Sequence, residues 1–589
     1  MAATTLFSCA DPGCDKDSKY SCSNCKLVSY CDKRCQVAHW PEHKIICKSS
    51  LMKDNWSPCW EREKRTPSFS SPKLASNLHN PFGKGIYLWG NVPAIDVLNL
   101  DQNEGNNLSR DVYATFCWYV CLLRPNKGNC GSQYKASGDL RNVVKTVSEL
   151  PQLFAQRIDL TINDRDFHVV ARNAIILLFC LTALEITSIP PGGFANAESL
   201  IHLWYSASLP KNITTQLVSR VKPFFTEVCG QITAEATGEI VERTWNFSRK
   251  KSLRLVLRKE EWYRLEALCE VPSDLTQQKA LHIRTATTLA PERRDFRDRW
   301  YFKDTTPSVR LSKQKFREDG LLLPFGYDRA DFSSPNPTFY FPPFVWPMDD
   351  KADPLDGWPI REVAREQTMA KEDLYGKLYI YLRRVFRRFL DRLARIEINL
   401  ELLNTDAIQL PETLQENKYA RIEVSNITDA GYLGTRETLR LLSPLLQSPQ
   451  ENPHATIISA YLNAVMEMVK QGDDRDQTPN LNLLMEFLPG IDIFSLLRPE
   501  SAQSLKLWDA RTIVIDRHKF FERYIRMFRF DRISADLQVA MKDLHTVVET
   551  WPTKPILERG QQGSQDEFNI LLGSNYTCVE RFVEWRRME

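Results

Sequence analysis

Eight candidate metal ligands, seven cysteines and His43, fall within the first 47 residues, in the order Cys9, Cys14, Cys22, Cys25, Cys31, Cys35, His43, Cys47. Thiolate and imidazole are ligands that zinc selects, four to an ion in a tetrahedron, and ligands two to four residues apart reach one ion from a single turn. Cys22 and Cys25 form a Cys-x2-Cys pair, Cys31 and Cys35 stand one helical turn apart, and His43 and Cys47 repeat that spacing. With Cys9 and Cys14 there are four pairs, enough for two Zn2+ sites; spacing alone leaves open which pair joins which. With four protein ligands at each ion, neither site keeps a position for a catalytic water, so the expected chemistry is structural.

The competing readings are a tail of reduced cysteines and a disulfide framework. A framework needs a secreted chain, and residues 1–10 have neither a basic start nor an apolar core of signal-peptide length. So short a segment buries too little apolar surface to fold alone, so metal binding supplies its folding energy, on the order of 10 kcal/mol or more per structural zinc.

At every ligand the segment resembles the MYND zinc finger: Cys-x4-Cys-x7-Cys-x2-Cys, then Tyr30-Cys31-x3-Cys35-x7-His43-x3-Cys47, with Trp40-Pro41 ahead of the histidine. The resemblance implies an interleaved pairing, Cys9, Cys14, Cys31 and Cys35 on one ion and Cys22, Cys25, His43 and Cys47 on the other. His39 lies outside the pattern and reads as a surface residue. Fingers of this family dock short proline-containing peptides, and the positions here that match the docking surface are Gln36 and Trp40. An indole stacks on pyrrolidine while an amide bonds an extended backbone; the plainer alternative has Trp40 covering the second zinc site.

The whole chain has 589 residues, 43% hydrophobic and 26% charged, with 77 basic against 74 acidic side chains and a net charge of +3. That balance speaks against a dedicated nucleic-acid surface, and the finger lacks a basic recognition helix. The longest apolar run, 174–184, is short for a bilayer, so no membrane segment is expected. The other eight cysteines are scattered without a second Cys-x2-Cys, the usage of reduced thiols in an intracellular protein, cytoplasmic or nuclear.

The elements that must carry the finger follow. We expect the finger at 9–47, a polar linker at 48–82 with Trp56 and Trp60 as anchors, and strand, glycine turn, helix, strand, helix over 83–189, with strands at 111–116 and 158–162 and a helix at 167–185. Residues 190–370 read as a helical, aromatic-rich insertion. In 371–475 a helix at 375–395, with Arg384, Arg387, Arg388 and Arg395 on its polar positions, precedes strands at 398–403, 421–424 and 455–459. Such an arginine face either meets phosphate or is simply solvated. Residues 476–589 read as helical. The expected fold class is α/β: a two-zinc finger followed by a split Rossmann-like domain with a large, mostly helical insertion.

Within the body, Leu88-Trp-Gly-Asn-Val-Pro-Ala-Ile-Asp96, Ser137-Gly-Asp-Leu-Arg-Asn142, Asn163-Asp164, Ala171-Arg-Asn173, Glu423-Val-Ser-Asn426 and Asn452-Pro-His454 resemble uncharacterised fungal MYND-finger proteins and, more distantly, dynein axonemal assembly factor 3. That resemblance implies a divergent class I methyltransferase fold. One departure stands out: residues 117–135 intervene between the first strand and Ser-Gly-Asp, as a retained intron or a family-specific loop. An S-adenosylmethionine site needs a glycine turn after the first strand and an acid after the second. Gly138 with Asp139 and Asp164 are the candidates, with Ser425-Asn426 to orient a substrate. Two functions follow: a zinc-dependent interaction scaffold with protein partners, which is favoured, or an S-adenosylmethionine-dependent methyltransferase that selects its substrate through the finger.

Overall fold

The computed structural model describes residues 7–70, 82–105, 111–117, 138–186, 193–303, 306–471 and 481–588. The finger is a two-stranded antiparallel ribbon, β1 (Tyr20–Ser21) and β2 (Ser29–Tyr30), followed by helix α1 (Lys33–Cys47). Asp32 starts that helix by accepting the Cys35 amide at 3.0 Å, satisfying a donor the first turn leaves unpaired.

The body is mixed α/β, built on one nine-stranded sheet. In chain order its strands are β3 (Val112–Cys117), β4 (Ile158–Asn163), then, after a small side pair β5 (Ser208–Leu209) with β8 (Ser334–Pro335), β6 (Ile240–Phe247), β7 (Lys251–Arg258), β9 (Ile398–Leu403), β10 (Arg421–Glu423), β11 (Thr456–Tyr461), β12 (Val539–Met541) and β13 (Arg581–Arg587). Their order across the sheet is β12-β13-β11-β10-β3-β4-β9-β7-β6. The six strands from β11 to β7 are mutually parallel, and antiparallel partners flank them, β13 against β11 and β6 against β7. Residues alternate between two cores on the two faces: Ile458, Ala460 and Phe582 in one, Ile457, Tyr461, Val583 and Trp585 in the other.

The helices that matter here are α2 (Arg141–Glu149) after β3, α3 (Phe167–Leu184) after β4, α4 (Pro307–Asp319), α5 (Leu374–Arg395) before β9, and α6 (Ser564–Gly573). Among the described residues α3 is long and apolar enough to cross a membrane, but it is buried inside the body. The arginine face of α5 is largely engaged: Arg383 pairs with Glu198, Arg384 with Glu366 and Arg388 with Glu149. Arg384, Arg387, Arg388 and Arg395 themselves stay exposed to solvent.

Two expectations are corrected. The 190–370 segment is not simply a helical insertion, because it supplies the β6–β7 hairpin to the main sheet, with Leu253 opposite Leu400 and Leu255 opposite Leu402. Its period-2 pattern is present in β7, where Lys251, Leu253, Leu255 and Leu257 are buried; in the edge strand β6, Val241, Arg243, Trp245 and Phe247 turn inward and the rest are exposed, so Arg243 breaks the apolar alternation. Residues 476–589 likewise contribute β12 and β13, and Phe582 to Trp585 are buried on both faces, which erases alternation. The described part of 48–82 docks through the expected anchors: Trp56 and Trp60 are buried, the Cys59 amide donates to Asp298 at 2.7 Å, and Arg65 clasps Asp295. Apart from Cys117, the 117–135 segment lies outside the described residues.

Trp585 is fully buried and its indole donates to Ser459 Oγ at 2.9 Å. Trp585→Ala should cost about 3–5 kcal/mol, read as a lowered urea midpoint with an unchanged slope.

Candidate metal centre

The ribbon and α1 gather the eight ligand residues into two groups, Cys9, Cys14, Cys31 and Cys35, and Cys22, Cys25, His43 and Cys47, each with its ligand atoms within 4.8 Å of one another. The first two cysteines of the chain enter from the loop before β1, Cys22 and Cys25 from the turn between β1 and β2, and the rest from the end of β2 and successive turns of α1. Cys14 Sγ lies 3.6 Å and Cys35 Sγ 3.5 Å from Cys31 Sγ; in the second group Cys22 Sγ is 3.8 Å from Cys47 Sγ, and Cys25 Sγ is 3.5 Å from His43 Nε2. These are not disulfides, whose sulfurs sit about 2.0 Å apart, and the cysteines are free. A tetrahedron with zinc–sulfur bonds of about 2.3 Å has edges of about 3.8 Å, so both groups fit a zinc ion, and each could hold one.

The electrostatics point the same way. Sharing a hydrogen bond, Cys22 is pulled down to about 3 while Cys25 is pushed far up, with burial adding to the rise. Crowded thiols ionise together only around a cation. Around the second group Asn24 donates to Cys47 Sγ at 3.2 Å, a partner that orients a ligand. His39 belongs to neither group. Instead of lying free on the surface it is half-buried, its Nδ1 3.1 Å from the Tyr30 hydroxyl.

The finger is seated on the body. Ser308 Oγ donates to Cys25 O at 2.6 Å, the Glu372 amide to Lys26 O at 3.2 Å, and the Arg310 guanidinium to Leu51 O and Lys53 O. Leu311 and Phe325 share a core with Cys9, Val28 and Tyr30, and Phe7 packs with Ala370 and Ile380. Nothing in the spacing of the finger pointed to Ser308, Arg310 or Glu372. On the outer side of α1, Val37 and Ile45 are exposed, Gln36 is half-buried, and Trp40 is 36% exposed with its ring 5.8 Å from His43. Trp40 thus both flanks the second cluster and presents a surface.

The cofactor candidates fare unevenly. Gly138 O accepts from Asn173 at 2.7 Å, and the Asp139 carboxylate is taken by the Gly90 amide at 2.9 Å and by Arg141. Asp139, with Arg141 on Val92 O, holds the 88–92 segment in place, while Gly138 is tied to α3. Asp164, following β4, accepts from the Asp166 amide with one oxygen, while Oδ2 is buried without a partner; burial pushes its carboxyl far up. After β10, Ser425 has a left-handed backbone (φ 48°), and buried Asn426 leaves both side-chain polar atoms unpartnered.

Residues 8–47 match the MYND finger family, and residues 88–209 match a domain of unknown function, DUF4470. Curated relatives align with short segments alone: the zinc finger MYND domain-containing protein 10 homolog of Drosophila melanogaster is 44% identical over 34 residues, 6% of this chain and 8% of its own. The N-lysine methyltransferase SMYD2 of Mus musculus and of Rattus norvegicus are each 41% identical over 44 residues, 7% of this chain and 10% of theirs. The chain thus spans about a tenth or less of these relatives' lengths. No solved structure matches.

The protein should carry two zinc equivalents per chain by elemental analysis, and Cys25→Ser should lose one of them together with the body contact through Ser308, lowering the thermal midpoint of the whole chain.

Proposed function

We propose that the chain is an interaction scaffold whose zinc-stapled finger presents a peptide-docking surface at a fixed orientation to the body. The observation that carries this reading is the pairing of two complete four-ligand clusters, with no open coordination position, with a finger whose inner side is seated on α4 and α5 while Gln36, Val37 and Trp40 remain on the outside. MYND fingers are protein-interaction modules, and an indole beside an amide suits an extended proline-containing ligand. We take the finger as 9–47, the body halves as 83–189 and 371–475, and the location as intracellular, cytoplasmic or nuclear. The body's relation to the fungal MYND-finger proteins and to dynein axonemal assembly factor 3 belongs to the same proposal.

A second reading, an S-adenosylmethionine-dependent methyltransferase, is favoured by one observation. Counting β3, β4, β9, β10, β11, β12 and β13 as one to seven, the sheet runs 3-2-1-4-5-7-6 with the seventh antiparallel, an order that class I methyltransferases share. Order reverses between β3 and β10, where open α/β sheets take ligands. The unpartnered Asp164 Oδ2 and Asn426 amide follow β4 and β10. The methyltransferase matches stop at the finger and add no support for chemistry.

For the first reading, Trp40→Ala and Gln36→Ala should each weaken a proline-rich peptide selected by display on the finger at least tenfold, about 1.4 kcal/mol, with zinc content unchanged; an unaffected affinity would remove the proposed surface. For the second, calorimetry should give micromolar S-adenosylmethionine binding that Asp164→Ala abolishes, and no heat would leave the scaffold alone.

A further inference from the structure

A cavity of about 410 Å³ lies between α4, the turn at Pro354–Gly357, the start of α5 and α6. Its volume is that of a small-molecule site. We infer that it binds a small zwitterion, an amino-acid-like compound with an ammonium and a carboxylate joined by an aliphatic chain.

The argument is the distribution of charge on its walls. At the entry to α5 stand Lys371 and Lys377; Lys377 Nζ donates to Ala364 O at 3.0 Å, and neither lysine has an ion-pair partner among the described residues. Glu372 lies between them in sequence and keeps the patch from being purely basic. On the wall formed by the 354–357 turn and α6 stand Asp356 and Asp566. The Asp356 carboxyl accepts from the Asn575 amide at 3.0 Å and is met by no cation within ion-pair distance among the described residues. Asp353, beside it, is saturated: its oxygens accept from Tyr375 OH at 2.7 Å and the Leu355 amide at 3.0 Å. Leu355, Ile360 and Ile570 give the cavity apolar walls as well. Lys313 of α4 lines the cavity too, with its Nζ donating to Gly573 O at 2.6 Å; Lys371 and Lys377 at the α5 entry, Asp356 and Asp566 on the other wall and aliphatic surface between give each end of a ligand of opposite charges a counter-charge where few water molecules compete.

Burial and the neighbouring Asp353 push Asp356 up to about 8, against the weaker opposing pull of Asn575, Lys313 and Lys351. The cavity also adjoins the finger. Its lining Glu372 supplies the amide that holds Lys26 O, and the α4 turn that supplies Thr306 and Val309 also carries the Ser308 hydroxyl on Cys25 O.

The test uses the full zinc-loaded chain and 6-aminohexanoate as the probe, with hexanoate and hexylamine as its two halves, titrated by calorimetry. We expect a submillimolar Kd for 6-aminohexanoate and at least tenfold weaker binding of either half. Because Lys371 and Asp566 are exposed, Lys371→Met and Asp566→Asn leave the fold intact and should each weaken the probe several-fold; Asp356→Asn and Lys377→Met, checked for an unchanged melting midpoint, should weaken it at least tenfold. No heat at 5 mM probe, equal binding of either half, or affinity indifferent to the two exposed substitutions would overturn the proposal.

Discussion

Sulfur atoms packed against one another at van der Waals distance, in a segment with almost no apolar core of its own, make the finger a structure that exists on condition of a cation. Once that condition is met, the consequences pass outward through backbone as well as through side chains such as Val28 and Tyr30. Cys25 O and Lys26 O, the carbonyls of the turn that carries two ligands, are the groups that Ser308 and Glu372 hold. The metal therefore shapes the very backbone the body recognises. A free MYND module tethered by a flexible linker would transmit nothing to its neighbours; here α4 and the start of α5 sense whether the turn is formed.

A second device binds the long central segment to the sheet. Where regular hydrogen bonding is sparse, buried guanidinium groups donate to backbone carbonyls from several elements at once. Arg172, on α3, reaches Leu88 O, Leu203 O and Trp204 O; Arg284 reaches Phe316 O and Arg317 O; Arg421, on β10, joins Leu98 O and His454 O and pairs with Glu104. Five rigidly arranged donors on one planar group make arginine suited to this, and loss of such a donor strands several buried carbonyls together. The Asp139–Arg141 pair works in the same way on Gly90 and Val92, where a side chain at Gly90 would collide with the guanidinium.

Legibility in the sequence followed from how local the determining physics is. Ligand spacing in the finger depends on one turn at a time, and the residues expected at each site are those the structure gathers. The parallel strands β3, β4, β9, β10 and β11 stood out because buried parallel strands are β-branched or leucine-rich runs closed by polar turns. Three things were not local. β6 shows water and charge to one side and so mimics a polar helix; β13 is buried on both faces with a glutamate in its middle, sensible only once the Glu584 carboxylate is seen receiving the amides of Thr546, Val547 and Val548. Gly138 and Asp139 carry a ligand-like signature, and the partners the structure gives them, Asn173 and Gly90, lie 35 and 49 residues away, which no spacing rule reveals.

The place of β13 has a consequence for how the molecule comes into being. It lies inside the sheet, between β11 and β12, although it is the last of the sheet's strands in the chain. Until residues 581–587 have been translated and have cleared the ribosome, β11 presents an open backbone edge and β12 has no neighbour at all. The nascent polypeptide therefore carries an unclosed apolar sheet edge from the emergence of β11 until its last strand follows, the situation in which a growing chain is exposed to wrong pairing unless chaperones shield it.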